Sequence, residues 1–147
     1  MLSIGRIAVR LLFDEPGKGA RRHQKEFPAL KYLLLLYNRE GDRPSPQSAE
    51  GAALFARYLN VTREMANGGV LVDSAPLQPP TAVTTVRVRD GRPVLTDGPA
   101  AEIKEWLGGY TLVECDDLDQ ALEWAAKIPA AEDACVVVQP LAPTSPS

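Results

Sequence analysis

The sequence predicts an α+β fold, with one antiparallel sheet carrying its helices on a single face. Two observations carry this. The prolines leave two free windows, 47–75 and 100–128, where helices can run, because proline breaks an interior helical turn. Short apolar runs of strand length stand around and between them. The chain of 147 residues, 45% hydrophobic and 24% charged, fits one globular domain. Its longest strongly apolar run, Leu33 to Leu36, is too short for a membrane span. Two cysteines do not make a disulfide framework, and one histidine excludes a multi-histidine metal site.

The first element is Lys31 to Tyr37, short and apolar on both faces, which reads as a buried strand. A polar loop ends at Ser48. From Ala49 to Asn67, Phe55, Tyr58, Leu59, Met65 and Ala66 recur at three- and four-residue steps, marking an amphipathic helix stopped by Gly68-Gly69. Val70 to Val72 is a short extended piece, and Pro76 to Pro80 a rigid loop. Thr84 to Arg89 alternates, Asp90-Gly91 supplies a tight hairpin turn, and Pro93 to Thr96 returns. Pro99 suits the first position of a short helical stretch, Ala100 to Leu107. Gly109 to Cys115 is the third long strand. Asp117 caps the next helix and Gln120 closes its capping box. Leu118, Ala121, Leu122, Ala125 and Ile128 form the buried stripe of that helix, which Pro129 ends. Ala134 to Val138 is the last strand.

Long strands and long helices reduce to βαββαβ, the ferredoxin-like split βαβ pattern. Two helices cover one face of such a sheet. The strands Tyr32–Tyr37 and Ala134–Val138 are apolar on both faces, so the other face needs a cover. The economical cover is a second copy, sheet on sheet, giving a homodimer with a barrel between protomers.

Charge divides the chain. Residues 1–27 carry six basic and three acidic side chains, whereas 28–147 carry ten basic and sixteen acidic. An acidic body repels phosphate backbones, which argues against direct nucleic-acid binding. Residues 1–29 read as a basic leader, a disordered tail or a mis-called start. Its arginines interrupt any secretory apolar stretch, so a cytoplasmic location is expected, with no membrane association and with Cys115 and Cys135 reduced as small hydrophobes. The domain itself spans 30–141, with a frayed tail at 142–147.

The stretches Ala82–Arg92, Val94–Glu105 and Leu107–Tyr110, with Asp116–Pro129 and the opening strand Leu30–Tyr37, resemble the YCII-related family, specifically its DGPF branch. The resemblance covers roughly 30–141. It implies a dimeric α+β barrel and a family whose chemistry is poorly defined. The branch motif is Asp-Gly-Pro-Phe-Ala-Glu-Thr-Lys-Glu; here Ala100 replaces its phenylalanine and Ile103 its threonine. YCII proteins proper place a histidine on the first helix, proposed to work with an aspartate. Spacing back from Gly69 puts Tyr58 there, and His23 is in the leader, so that pair is not carried over. Relatives occur beside or fused to extracytoplasmic-function sigma factors, which implies a regulatory setting.

The candidate site residues each have two readings. Asp97, the catalytic candidate, begins Asp-Gly-Pro, which either places a carboxylate at a pocket mouth or simply turns the chain. Glu102 and Lys104 bind a polar ligand or form a solvated helix face. Arg87, on the polar side of the hairpin, holds an anion or guards a sheet edge. Tyr58 is a phenolic ligand contact or core. Asp73 has the same ambiguity. Trp106 and Trp124 read as packing anchors, and the acid run at 116–119 as capping chemistry without a calcium-loop pattern. No metal and no cofactor are expected. The functional alternatives are a small-molecule-binding dimer with enzymatic activity, a non-catalytic regulatory module linked to a sigma factor, and a barrel that has lost its pocket function.

Overall fold

The computed structural model describes residues 30–39, 41, 43–100 and 104–144. The leader 1–29, Glu102 and the last three residues lie outside them. The elements are β1 (Leu30–Arg39), α1 (Ala49–Asn67), β2 (Leu71–Pro76), β3 (Thr84–Arg89), β4 (Arg92–Asp97), β5 (Glu105–Cys115), α2 (Leu118–Lys127), α3 (Ala130–Asp133) and β6 (Cys135–Pro140). The main sheet has the order β2-β5-β1-β6, with every pairing antiparallel. With α1 and α2 as its crossings, this is a ferredoxin-like α+β fold.

The pleat sends alternate residues of β1 to opposite faces. Tyr32 and Leu34 are buried with Val113 and Cys115 of β5, Met65 of α1, Ala121 and Ala125 of α2, and Ala130 of α3. Among the described residues that is the one core cluster, and it lies under the helices. On the other face, Leu33, Leu35 and Leu112 are only partly covered, and Val137 is 41% exposed. No described helix covers them.

Local chemistry sets the helix ends. Ser48 accepts a hydrogen bond from the Gly51 backbone at 3.0 Å, capping α1. A Cβ on Gly51 would strike the Ser45 carbonyl, so the incoming loop can cross only at a glycine. Asp117 accepts from the Gln120 backbone at 2.9 Å. The Gln120 side chain reaches back to the Asp116 N–H at 2.8 Å, one residue before the cap.

The structure corrects several boundaries. The expected helix Ala100–Leu107 gives way at its C-terminal end to β5, because Glu105, Trp106 and Leu107 pair with Arg39, Asn38 and Tyr37. Residues 101–103 lie outside the described part. The extended piece at 70–72 grows into β2, which makes the sheet edge by pairing with β5. Pro129 ends α2 but starts the one-turn α3. On α1, Met65 is buried, yet Phe55 is 61% exposed. The hairpin β3–β4 forms as expected but is a separate two-stranded ribbon. Val86 faces Leu95 and Val88 faces Pro93 on one side; Arg87, Arg89 and Arg92 are on the other. Val88 is 69% and Leu95 67% exposed, and among the described residues no other element packs along the ribbon.

Leu34 is fully buried at the centre of the sheet. Leu34→Ala is expected to cost about 2–5 kcal/mol, read as a lower urea midpoint with an unchanged slope.

Candidate functional site

Two strand irregularities shape one side of the core. Between Leu71 and Asp73 the β2 register slips, so Val72 is an extra residue. The slip turns Asp73 to the bare face and Ser74 to the helix face, opposite Thr111. On β5, Leu36 pairs with Gly109 and Tyr37 with Leu107, leaving Gly108 as the extra residue. Its carbonyl accepts from the Leu77 N–H at 2.9 Å. A Cβ there would collide with the Asn38 carboxamide, so glycine lets Asn38 lie against the strand.

Between these bulges and α1 lies a chamber of about 240 Å³. Phe55, Leu59, Val61 and Met65 form much of its apolar wall, while Tyr58, Ser74, Thr111, Asn38 and Arg43 bring polar groups to it. Ser74 Oγ and Thr111 Oγ1 share a hydrogen bond at 3.1 Å, which satisfies the buried threonine. Burial pushes the Tyr58 phenol above its ordinary pKa, with Arg43 pulling the other way, so at neutral pH it is a proton donor. A neighbouring cleft of about 420 Å³ shares Asn38, Arg43 and Tyr58 and adds Arg39, Arg57 and Asp133.

The sequence-predicted residues fall in different places. Tyr58 lines the chamber. Asp73 is exposed beside it on the bare face, accepting from the Tyr110 hydroxyl at 2.7 Å and the Ser74 N–H at 2.9 Å. Burial is secondary to that Asp73 bond in raising the Tyr110 pKa. Asp97 and Arg87 are exposed on the ribbon, three register pairs apart, and neither lines the chamber or the cleft. The Asp97-Gly98 turn is held from behind: the Gly98 N–H donates to the Val83 carbonyl and the Thr85 hydroxyl to the Gly98 carbonyl, each at 2.7 Å. Gly98 has φ +94°, which explains the glycine. Lys104 is exposed just before β5. Glu102 lies outside the described residues. Sequence reasoning missed Asn38, Arg43, Ser74 and Thr111. The Gly108-Gly109 pair inside a strand was the available signal for a bulge there.

Trp124 packs against the core beneath the Lys127 ammonium, 4.6 Å from its ring centroid. The Arg43 guanidinium stands 5.9 Å from the ring centroid of Trp106. Among the described residues, no cluster of three or more metal-ligating side chains occurs, and no helix is long and apolar enough to cross a membrane.

A split βαβ sheet with one helix-covered face and a chamber at its bulged edge defines a small α+β domain. The YCII-related domain profile matches residues 30–145, and the chain belongs to that family. It is also similar to an uncharacterized protein of Rhizobium meliloti (strain 1021), 36% identical over 94 residues, which cover 64% of this chain and 76% of that one.

The Cys115 thiol is pushed from 9.0 up to about 11, first by burial and then by Asp116 and Asp117. As pH rises from 9 toward 11, the unfolded chain releases this proton while the folded chain keeps it. Stability therefore falls across that window. The urea midpoint is expected to drop there, and Cys115→Ala to flatten the drop.

Proposed function

We propose that this protein is a cytoplasmic homodimer of the DGPF branch that binds a small molecule in the chamber beneath α1. The observation carrying the reading is the chamber itself, an apolar space with a few convergent polar groups. Tyr58 stands where the resemblance puts the histidine of YCII proteins, and its protonated phenol supplies a donor and general acid. The Asp73–Tyr110 pair supports the neighbouring strand from outside. In this reading binding rests on the chamber residues; Asp97, Arg87 and Lys104 line neither the chamber nor the cleft and form a separate polar set on and beside the ribbon. Thermal-shift screening with small acids and lactones is the test. A stabilising ligand at a hundred times its Kd adds about 2.7 kcal/mol, and Tyr58→Phe should weaken that gain. A screen in which nothing raises Tm removes the reading's support.

The dimer draws its support from the bare sheet face. Leu33, Leu35, Leu112 and Val137 form an apolar surface that the helices leave uncovered. Sheet-on-sheet packing removes it from water. Light scattering should give twice the chain mass of 15.9 kDa. Leu35→Lys should shift the protein to monomer while keeping its far-ultraviolet circular dichroism. A wild-type monomer at every concentration would contradict the dimer.

A second reading, a non-catalytic module linked to an extracytoplasmic-function sigma factor, is favoured by the ribbon. Its exposed Val86, Val88 and Leu95 give a protein partner an apolar face, with arginines on the reverse side of the ribbon.

A further inference from the structure

The chamber and the adjoining cleft meet at three side chains, Asn38, Arg43 and Tyr58. On the chamber side, Arg43 is the one charged residue among the described lining, and no carboxylate joins it. The cleft gathers Arg39, Arg43 and Arg57 against one carboxylate, Asp133, although the domain outside the leader carries ten basic side chains against sixteen acidic. Two of these arginines already have carboxylate neighbours. Arg57 pairs with Glu132 at 2.7 Å, and Arg39 lies opposite Glu105 in the β1–β5 register. Arg43 instead stands over the Trp106 ring, an aromatic contact that leaves guanidinium N–H donors for another acceptor. Beside it the Asn38 carboxamide is seated against Gly108. One cation and one amide at the mouth of an apolar space match a monoanion better than a dianion.

We infer that the chamber takes a small monocarboxylic acid, its apolar body against Phe55, Leu59, Val61 and Met65 and its carboxylate on Arg43 and Asn38. The inference rests on the small-molecule reading above and names the ligand class. Phe55 has its own use here: 61% exposed on α1, it is costly in water and suits the lip of an apolar chamber. The Ser74–Thr111 pair on the β2 and β5 wall offers hydroxyl oxygens to a second polar atom on the acid. An amine would meet Arg43 as a like charge at the mouth, so the site also discriminates by repulsion.

Isothermal titration calorimetry on the full chain with octanoate, octanamide and octylamine tests this. Octanoate should bind roughly tenfold or more tighter than octanamide at low ionic strength, the size of effect expected for a charge-assisted contact. The gap should narrow near 0.5 M salt, where screening lengths fall to about 4 Å. Octylamine should bind weakest. Arg43→Gln should bring octanoate and octanamide to roughly equal affinity, octanoate losing much more than octanamide, and Arg43→Lys should restore part of the preference. Arg43 is exposed in a loop, so neither variant threatens the fold. Equal binding of octanoate and octanamide to the wild type overturns the acid preference and leaves the pocket reading standing. An undiminished preference in Arg43→Gln overturns the role of Arg43. Absence of binding by all three probes overturns the acid inference and counts against the pocket reading as well.

Discussion

The antiparallel pairing of β1 with β5 is the constraint on which the other elements depend. These two strands sit at the centre of the sheet, and each is hydrogen-bonded on both edges. Their facing pairs Tyr32–Val113 and Leu34–Thr111 lie in the core, and the helices close over them. The same register sends Leu33, Leu35, Leu112 and Tyr110 to the opposite face. A strand apolar on both faces cannot satisfy both with helices from one side, so the pairing that makes the core also makes the bare face.

The two bulges convert this regular sheet into one with a chamber. A one-residue slip reverses which side chains face the core. The extra Val72 reverses the faces that Asp73 and Ser74 take, giving the bare face a carboxylate and the chamber a hydroxyl. The extra Gly108 bends β5 and lets Asn38 lie across it. Both irregularities fall beside the same cavity, where bulges re-aim side chains without disturbing the rest of the ladder. The ribbon β3–β4 connects β2 to β5 without joining their sheet, so a long insertion leaves the βαββαβ topology unchanged.

Charge distribution follows the same division between body and mouth. The acidic side chains after Glu105 gather around α2 and α3, where several serve helix ends. They also raise the Cys115 thiol, whose burial already disfavours the thiolate. The arginines concentrate instead at the cleft and on the ribbon. A net charge of −3 conceals both groupings.

Much of the fold was legible because its signals are local. Proline spacing set the helix windows, Ser48 and Asp117 marked helix starts, and Asp90-Gly91 marked the hairpin turn. The helix expected over Ala100–Leu107 failed at its end because Pro99 is a local signal, whereas Trp106 and Leu107 answer to partners on β1 nearly seventy positions earlier. Of the candidate site, Tyr58 was found through its place on α1. Arg43 and Asn38 were not, because nothing in a polar loop or a strand end shows what they will adjoin. By itself the sequence determined the types of the two long helices and of the long strands, the split βαβ order and the excess of apolar strand surface, since these follow from periodicity, caps and composition. The tertiary structure alone decided that β2 rather than the hairpin makes the sheet edge, which residues are bulged, and hence which side chains share the chamber. Register is a choice among long-range pairings, and a shift of one residue moves a side chain to the other face.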